Sequence, residues 1–255
     1  MDDIRRALLK RGRHLFAKPF EPVRFSGNEE ADALANDLAG TPHAFVLACI
    51  MDRQMKAEKA WMIPHEFRKK LGGFDISTLG GLSIDETKAI MRGPPPLHRF
   101  SERMSECFHA GVKRIIEVYK GDASRIWAGR PSSAKVVRRF LEFDGIGPKI
   151  GAMAANILAR EMKVPMSDMY SIDISPDVHV RRVFARLGLI PRPGDTELLV
   201  FRAREMNPTY PGIFDLPAFE IGRSWCRPKR PKCSDCYMHG DCPSAAIARR
   251  EEDAA

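Results

Sequence analysis

The sequence lacks any long hydrophobic run and is poor in aromatic residues. Phe, Trp and Tyr make up 8% of its 255 residues, and its longest apolar run, Ala44 to Met51, spans eight residues. A membrane-spanning helix needs about 20 apolar residues, so this sequence excludes one. The N-terminal stretch is charged and amphipathic and has no apolar signal-peptide core, which predicts a cytoplasmic protein that is neither secreted nor bound to a membrane.

Sustained alternation of apolar and polar residues is also missing, so strands should be scarce. Apolar residues instead recur at helical spacing, and the 44% hydrophobic content is that of a folded globular chain. Helices are predicted for 2–16, 29–39, 43–52, 56–71 and 84–92. A longer helix of about five turns should bury one face formed by Phe100, Met104, Cys107, Phe108, Val112, Ile115 and Ile116. The predicted fold class is all-α.

The charge balance is basic, with 41 Lys and Arg against 33 Asp and Glu and a formal net charge of +8. Such an excess favours a polyanionic partner such as a nucleic acid, although it does not prove one.

Cysteines are few but clustered, since four of the six fall within 17 residues. Cys226, Cys233, Cys236 and Cys242 predict a metal site, because disulfides need an oxidising compartment to which nothing in the sequence points. Four thiolates suit either Zn²⁺ or a [4Fe–4S] cluster. Zinc sites more often pair two short knuckles, whereas only one Cys-x2-Cys occurs here. The loop also carries basic residues that would meet phosphates if they are not merely solvated: Arg227, Lys229, Arg230 and Lys232.

A helical hairpin is predicted over residues 132–160, with Ser132 and Ser133 placed to cap its first helix. Gly145 and Gly147 form the turn, and the second helix begins at Pro148. A glycine turn that opens a helix is a phosphate-binding arrangement. A plain turn between two helices explains the glycines equally well.

Two charged side chains lie at predicted helix starts. Lys149 is in the first turn after the hairpin, where the helix dipole and partial burial would lower the pKa of an amine and make it a better nucleophile. A phosphate-contacting or solvated lysine is the alternative. Asp177 precedes an apolar-periodic run, which is typical of a helix cap, and a capping carboxylate can also stabilise a cation.

Taken together, these elements resemble the endonuclease III-type DNA glycosylases of the helix-hairpin-helix superfamily. Three features match in order: the hairpin over 141–149, the segment Asp177-Val178-His179, and the four-cysteine loop preceded by Gly222-Arg223. The Cys-x6-Cys-x2-Cys-x5-Cys spacing is highly specific to this family, and the similarity runs from about residue 43 to residue 243.

The resemblance implies a base-excision-repair glycosylase with AP lyase activity, acting as a monomer on duplex DNA that carries a damaged base or an abasic site. Lys149 falls at the position of the Schiff-base lysine and Asp177 at that of the catalytic aspartate. The four cysteines would hold a [4Fe–4S] cluster. Gln54 resembles the glutamine that fills the space left by an extruded base, and Leu97 is a weaker wedge candidate. Oxidised pyrimidines are the family's default substrates.

The family architecture predicts a six-helix barrel lobe over 43–160, ending in the hairpin, and a terminal lobe formed by 1–42 and 161–255, with the iron–sulfur cluster loop at 226–242. DNA would lie across the cleft between them. The interval between Lys149 and Asp177 is longer than usual, with an apparent insertion at 161–175. That segment contains two rival acids, Asp168 and Asp173, but Asp177 alone has the following Val-His and the helix start. A monofunctional glycosylase and a non-catalytic lesion-binding protein remain alternatives.

Overall fold

The computed structural model describes residues 2–246, and all of the regular structure within them is helical. This confirms the all-α prediction. The α-helices are α1 (Asp2–Ala17), α2 (Glu29–Asn36), α3 (Pro42–Met51), α4 (Ala57–Ala60), α5 (Ile63–Leu71), α6 (Ile76–Gly80), α7 (Ile84–Arg92), α8 (Ser101–Glu117), α9 (Ser133–Leu141), α10 (Pro148–Arg160), α11 (Val178–Arg186), α12 (Thr196–Met206) and α13 (Asp215–Ser224), and residues 243–246 are also helical. Two short 3₁₀ helices lie at Ala123–Ile126 and Pro211–Phe214.

The chain divides into two compact units, a central unit of residues 20–167 and a terminal unit of residues 1–19 and 168–255. The lobes predicted from the sequence had their boundaries at 42/43 and 160/161, and residues 1 and 247–255 of the predicted terminal lobe lie outside the described part of the chain. Residues 20–42 group with the central unit because they pack there. The Phe25 ring stacks on the Trp61 ring with 3.8 Å between their centroids. The Asn36 side chain accepts a hydrogen bond from the Val23 amide and donates one to the Val23 carbonyl oxygen.

The central unit is built around α3, in which every residue is buried. Its Phe45 ring meets Trp61, Trp127 and Phe140 at centroid distances of 5.5 to 6.4 Å. Helix α8 crosses α3 at Gly111, where a Cβ atom would lie only 2.6 Å from the Ile50 side chain. Helices α9 and α10 then form the hairpin at the edge of this core.

Several predicted helices differ in detail from the observed ones. The region 56–71 forms two helices, α4 and α5, because Pro64 lies in the first turn of α5 and cannot continue a preceding helix. The five-turn prediction is confirmed by α8, but the buried face was wrong for Ile116, which is 37% exposed, and for Phe100. That residue is the N-cap of α8 and leaves 41% of its surface exposed, so it does not join the buried face.

In the terminal unit, α1 packs against the 3₁₀ helix at Pro211–Phe214 and against α13. The contact at Gly12 is close, since a Cβ atom there would meet the Ile213 carbonyl oxygen at 2.5 Å. Arg11 forms a two-pronged ion pair with Glu220 of α13, with N–O distances of 2.9 and 2.5 Å. Among the described residues, no helix combines the length and the apolar character that a membrane crossing requires.

Candidate active site and nucleic-acid interface

The hairpin of α9 and α10 forms as the sequence predicts. The Ser132 side chain accepts a hydrogen bond from the Lys135 amide and caps α9. Helix α10 begins at Pro148 with Gly147 as its N-cap, and no side chain caps it. The first turn of a helix presents main-chain N–H groups and the positive end of the dipole, so the start of α10 is suited to an anion.

The two hairpin glycines have different roles. Gly145 has a φ of +92°, and a Cβ atom there would lie 3.3 Å from the Cys107 sulfur. The fold itself therefore requires glycine at 145. Gly147 has a φ of −102°, and a Cβ atom there would meet nothing within 4 Å. The packing of the chain does not explain this second glycine, whereas the close approach of an external backbone would.

Lys149 is the second residue of α10, and its side chain is exposed. The partial burial that was expected of Lys149 is therefore not observed. The exposed position leaves the amine accessible to a ligand bound at the hairpin.

Asp177 is the N-cap of α11, which confirms the capping prediction. Its Oδ1 atom accepts hydrogen bonds from the His179 and Val180 amides, both at 2.7 Å. The carboxylate is half-buried. Its Oδ2 atom accepts no hydrogen bond from the described residues, so one oxygen is held in place while the other can serve a ligand.

The rival acids of the insertion are engaged in local structure. Asp173 binds Arg204 through both carboxylate oxygens at 2.8 Å, which is a structural ion pair. The Asp168 carboxylate accepts a hydrogen bond from the Tyr170 amide within its own turn. The insertion has no helix, yet it contributes a buried side chain to each unit, Met166 to the central unit and Ile172 to the terminal unit.

All four clustered cysteines line one cavity in the terminal unit, together with apolar residues that include Val183, Leu187 and Ile221. Burial, and then the neighbouring cysteines, raise the pKa of the Cys236 thiol. Within residues 2–246, no three or more His, Cys, Asp or Glu side chains come together as a site for a single metal ion. The donor set of four thiols around one partly apolar cavity nevertheless fits an iron–sulfur cluster in its chemistry.

Helix α11 anchors the cysteine loop through two arginines that the sequence analysis did not single out. Arg182 donates to the Cys226 carbonyl oxygen at 2.7 Å. Arg186 donates to the carbonyl oxygens of Arg227 and Pro228 at 2.7 and 3.0 Å, and to the Cys226 sulfur at 3.3 Å. Their spacing of four residues on one helix was visible in the sequence, but their partners lie about forty residues away.

The predicted basic residues of the loop are all exposed, and Lys232 also borders the cavity of the cysteines. Arg227, Lys229, Arg230 and Lys232 are exposed, while the main chain beneath them is held by Arg186 and by the bond from the Lys232 amide to the Trp225 carbonyl oxygen. The loop thus displays four cations on a fixed backbone, which suits a polyanion.

Two residues were predicted to fill the space that an extruded base leaves in the duplex, and both lie on adjoining segments of the central unit. Gln54 is exposed and has a φ of +52°. Leu97 is half-buried and follows the Gly-Pro-Pro-Pro run. The segments are linked by His98, which contacts the Arg53 carbonyl oxygen at 3.1 Å, and by Arg99, which donates to the Gln54 carbonyl oxygen at 3.3 Å.

The predicted site residues are therefore divided between the units. Lys149, both hairpin glycines, Gln54 and Leu97 belong to the central unit. Asp177, the four cysteines and the four basic loop residues belong to the terminal unit.

Sequence comparison finds two curated relatives. An endonuclease III homolog of Encephalitozoon cuniculi is 24% identical over 216 residues, which cover 78% of this chain and 78% of that protein. The chloroplastic endonuclease III homolog 2 of Arabidopsis thaliana is 25% identical over 147 residues, 52% of this chain, and the match spans only a third of its length (33%). No protein-family model matches the chain.

Structure comparison gives likenesses that extend over nearly the whole chain. A trapped endonuclease III–DNA covalent intermediate with an estranged adenine has a TM-score of 0.64 at 15% identity, covering 98% of this chain and 99% of that one. A thermostable thymine-DNA glycosylase has a TM-score of 0.61 at 15% identity, with 96% and 98% coverage. These likenesses show a shared fold. In sequence the chain is similar to endonuclease III homologues, and it shares the fold of the solved endonuclease III structures.

Proposed function

We propose that this chain is a base-excision-repair DNA glycosylase with associated AP lyase activity, which removes a damaged base, by family default an oxidised pyrimidine, from duplex DNA. One observation carries the proposal. Within a fold shared with endonuclease III, Lys149 is exposed in the first turn of α10 and Asp177 caps α11, and the family resemblance implies a chemical role for each.

The first step is extrusion of the target nucleotide, because a base stacked in a duplex cannot be reached. Flipping costs a few kcal/mol, and less where the base is damaged or mispaired. Gln54 is exposed on the central unit and would fill the space in the duplex, with Leu97 as a weaker wedge. The start of α10, with its open position at Gly147, would bind a phosphate of the same strand.

The chemistry then follows from the two charged groups. Asp177, fixed through Oδ1, would use Oδ2 to stabilise the positive charge that develops on the sugar and to help deprotonate the attacking amine. The Lys149 nitrogen would bond to the sugar C1′ as the C1′–N bond to the base breaks, and the base would leave with a proton. The C1′–O4′ bond would then break as O4′ takes a proton from the attached amine, which opens the sugar ring and leaves a protonated imine. Loss of a C2′ proton from this imine would permit β-elimination, which breaks the bond between C3′ and its oxygen. This mechanism requires both residues to act on one nucleotide.

The cysteine loop would hold a [4Fe–4S] cluster through Cys226, Cys233, Cys236 and Cys242. Such a cluster would fix the loop in shape, and base excision itself transfers no electrons. The exposed cations of the loop, Arg227, Lys229, Arg230 and Lys232, would then contact DNA phosphates. We infer that the protein acts as a monomer on DNA in the cytoplasm, in association with the nucleoid.

A monofunctional glycosylase is the second candidate, and the exposure of Lys149 favours it to some extent. An exposed lysine at a helix start can contact a phosphate without forming an imine. Nicking of abasic DNA separates the two, because only the bifunctional enzyme cleaves the strand. A non-catalytic lesion-binding protein would neither excise nor nick.

A panel of duplex oligonucleotides, each with one lesion, tests the proposal, with Asp177→Asn as the critical variant. Asparagine keeps the helix cap, so the loss of charge is isolated. We expect excision to fall by at least about 100-fold, a size typical of losing an electrostatic transition-state group, while DNA affinity stays within a few-fold. Asp168→Asn and Asp173→Asn are matched controls that should keep near-normal rates. Normal excision by Asp177→Asn, or no excision of any lesion by the wild type, would overturn the proposal.

A further inference from the structure

Phe100 is an exposed aromatic residue at a position where the helical pattern predicted a buried one. As the N-cap of α8, it leaves 41% of its surface open to solvent. The guanidinium carbon of Arg99 lies over its ring, 4.7 Å from the ring centre. The two side chains form one surface, part aromatic and part cationic, which we call the Arg99–Phe100 platform.

Buried His98 fixes the position of the platform. Only 1% of His98 is exposed, and its Nδ1 accepts a hydrogen bond from the Phe100 amide at 3.0 Å. Its Nε2 therefore carries the proton and donates to the Arg53 carbonyl oxygen. Arg99 in turn donates to the Gln54 carbonyl oxygen. The platform is thus tied to the loop that presents Gln54.

The same loop adjoins the hairpin turn. It follows directly after α3, whose Ile50 side chain would lie 3.4 Å from a Cβ atom at Gly145. A DNA backbone bound at the hairpin would therefore bring neighbouring nucleotides to the Gln54 loop and to the platform beside it.

A flat aromatic ring with a planar guanidinium over it has the chemistry that binds an unstacked nucleobase. Bases stack on phenylalanine rings and on arginine planes regardless of their identity, because every base has a π face. The cation adds attraction to the electron-rich face of the ring and to a base stacked next to it.

We propose that the Arg99–Phe100 platform is a binding site for the nucleobase left without a partner when the opposite base is extruded. The proposal rests on the proposed function, because that function creates the unpaired base. It assigns to Phe100 and Arg99 a contact with the undamaged strand, whereas Gln54 and Leu97 were expected to occupy the space of the extruded base.

Photocrosslinking tests the site directly. The probe is a duplex with a tetrahydrofuran abasic analogue opposite 5-iodouracil, which crosslinks to aromatic rings stacked against it. With the wild-type protein, we expect the crosslinked peptide to contain Phe100. Phe100→Ala should lose the crosslink, and Phe100→Tyr should retain it. A crosslink of equal yield in Phe100→Ala, or one mapped to another residue, would overturn the proposal.

Affinity provides a second readout. Because stacking on one aromatic residue changes binding by about 5- to 150-fold, Phe100→Ala should weaken binding to the abasic-analogue duplex by a factor in that range. Its binding to undamaged duplex and its thermal midpoint should stay near the wild-type values. Phe201→Ala is the matched control, since Phe201 is 54% exposed and Arg204 lies over its ring at 5.2 Å in the terminal unit.

The outcomes separate the two proposals. If the wild type prefers the abasic-analogue duplex over undamaged DNA and Phe100→Ala shows the same preference, only the platform is refuted. If the wild type shows no preference, the platform and the proposed function are refuted together. If Phe201→Ala loses as much preference as Phe100→Ala, the effect is not specific to the platform, and the platform is refuted.

Discussion

Arg182 in α11 donates a hydrogen bond from Nε to the carbonyl oxygen of Cys226, 2.7 Å away. The same guanidinium donates to the Gly222 carbonyl oxygen at 2.9 Å and contacts the His179 ring. Because Asp177 caps the start of this helix, one element positions both the proposed catalytic carboxylate and the first cysteine of the loop.

Replacing Arg182 with methionine should weaken the cysteine loop. The change keeps an unbranched side chain but removes the guanidinium and its donors, and charged hydrogen bonds are each worth about 1.5–3 kcal/mol. We expect a lower free energy of unfolding and an iron content below the value of about four per chain that a filled cluster gives. Iron analysis and urea unfolding measure the two effects.

Arg192→Met is the control for that change, because Arg192 is largely exposed and, among residues 2–246, its side chain forms only a long surface ion pair with Asp195. Full iron content and wild-type stability in Arg182→Met would show that α11 does not support the loop.

Gly222→Ala should destabilise the terminal unit. An added Cβ atom would lie 2.7 Å from the His179 Cβ and 3.1 Å from its main chain, so α13 and α11 would have to separate. Overpacking of this kind costs about 1–3 kcal/mol. Chemical denaturation measures this loss in the free energy of unfolding. Gly240→Ala serves as the comparison, because a Cβ atom there meets nothing within 4 Å, and equal stability of the two variants would contradict the packing.

The hairpin glycines should separate folding from DNA binding. Gly145→Ala places a side chain at a φ of +92° beside Cys107 and should lower stability by about 1–3 kcal/mol. Gly147→Ala should leave stability within about 0.5 kcal/mol but weaken duplex binding, because the methyl group would stand between the helix start and the DNA backbone. Unfolding curves measure the stability of each variant, and binding isotherms measure its affinity for duplex DNA. An unchanged affinity in Gly147→Ala would show that the hairpin does not contact the DNA.

Stability should fall as the solution becomes mildly acidic. Burial lowers the pKa of both His43 and His98 below the ordinary value of 6.5. The unfolded chain therefore binds protons at a higher pH than the folded one, so stability is complete above about pH 6.5 and decreases as the pH falls through the folded pKa values. Urea unfolding between about pH 7 and pH 5 measures the slope.

His43→Gln should reduce that slope, because glutamine can still donate to the Phe74 carbonyl oxygen that the His43 ring contacts but does not titrate. A stability that is constant or rises over this range would contradict the assignment.

Local features of the fold could be predicted from the sequence. The caps at Ser132 and Asp177 and the turn before Pro148 depend on residues within three positions of one another, and each was predicted correctly. The limits of α7 agree with the predicted 84–92 for the same reason, since Ser83 and Glu86 form a capping box.

Long-range features could not be predicted in this way. The bond from Arg182 to Cys226 joins residues 44 positions apart, and no periodicity encodes it. The exposure of Phe100 depends on where α8 begins relative to His98, whereas an apolar pattern shows only which residues share a face. The difference between the two hairpin glycines is visible only in the structure, where a Cβ atom at Gly147 would meet nothing within 4 Å and Gly145 has a φ of +92°.

Borohydride trapping on DNA containing a substrate lesion tests the central claim most directly, because reduction of the imine joins the enzyme to the sugar irreversibly. The wild type should form a covalent adduct, Lys149→Ala should form none, and Lys135→Ala, which changes an exposed lysine on the other helix of the hairpin, should trap like the wild type. An adduct that survives in Lys149→Ala would contradict the account.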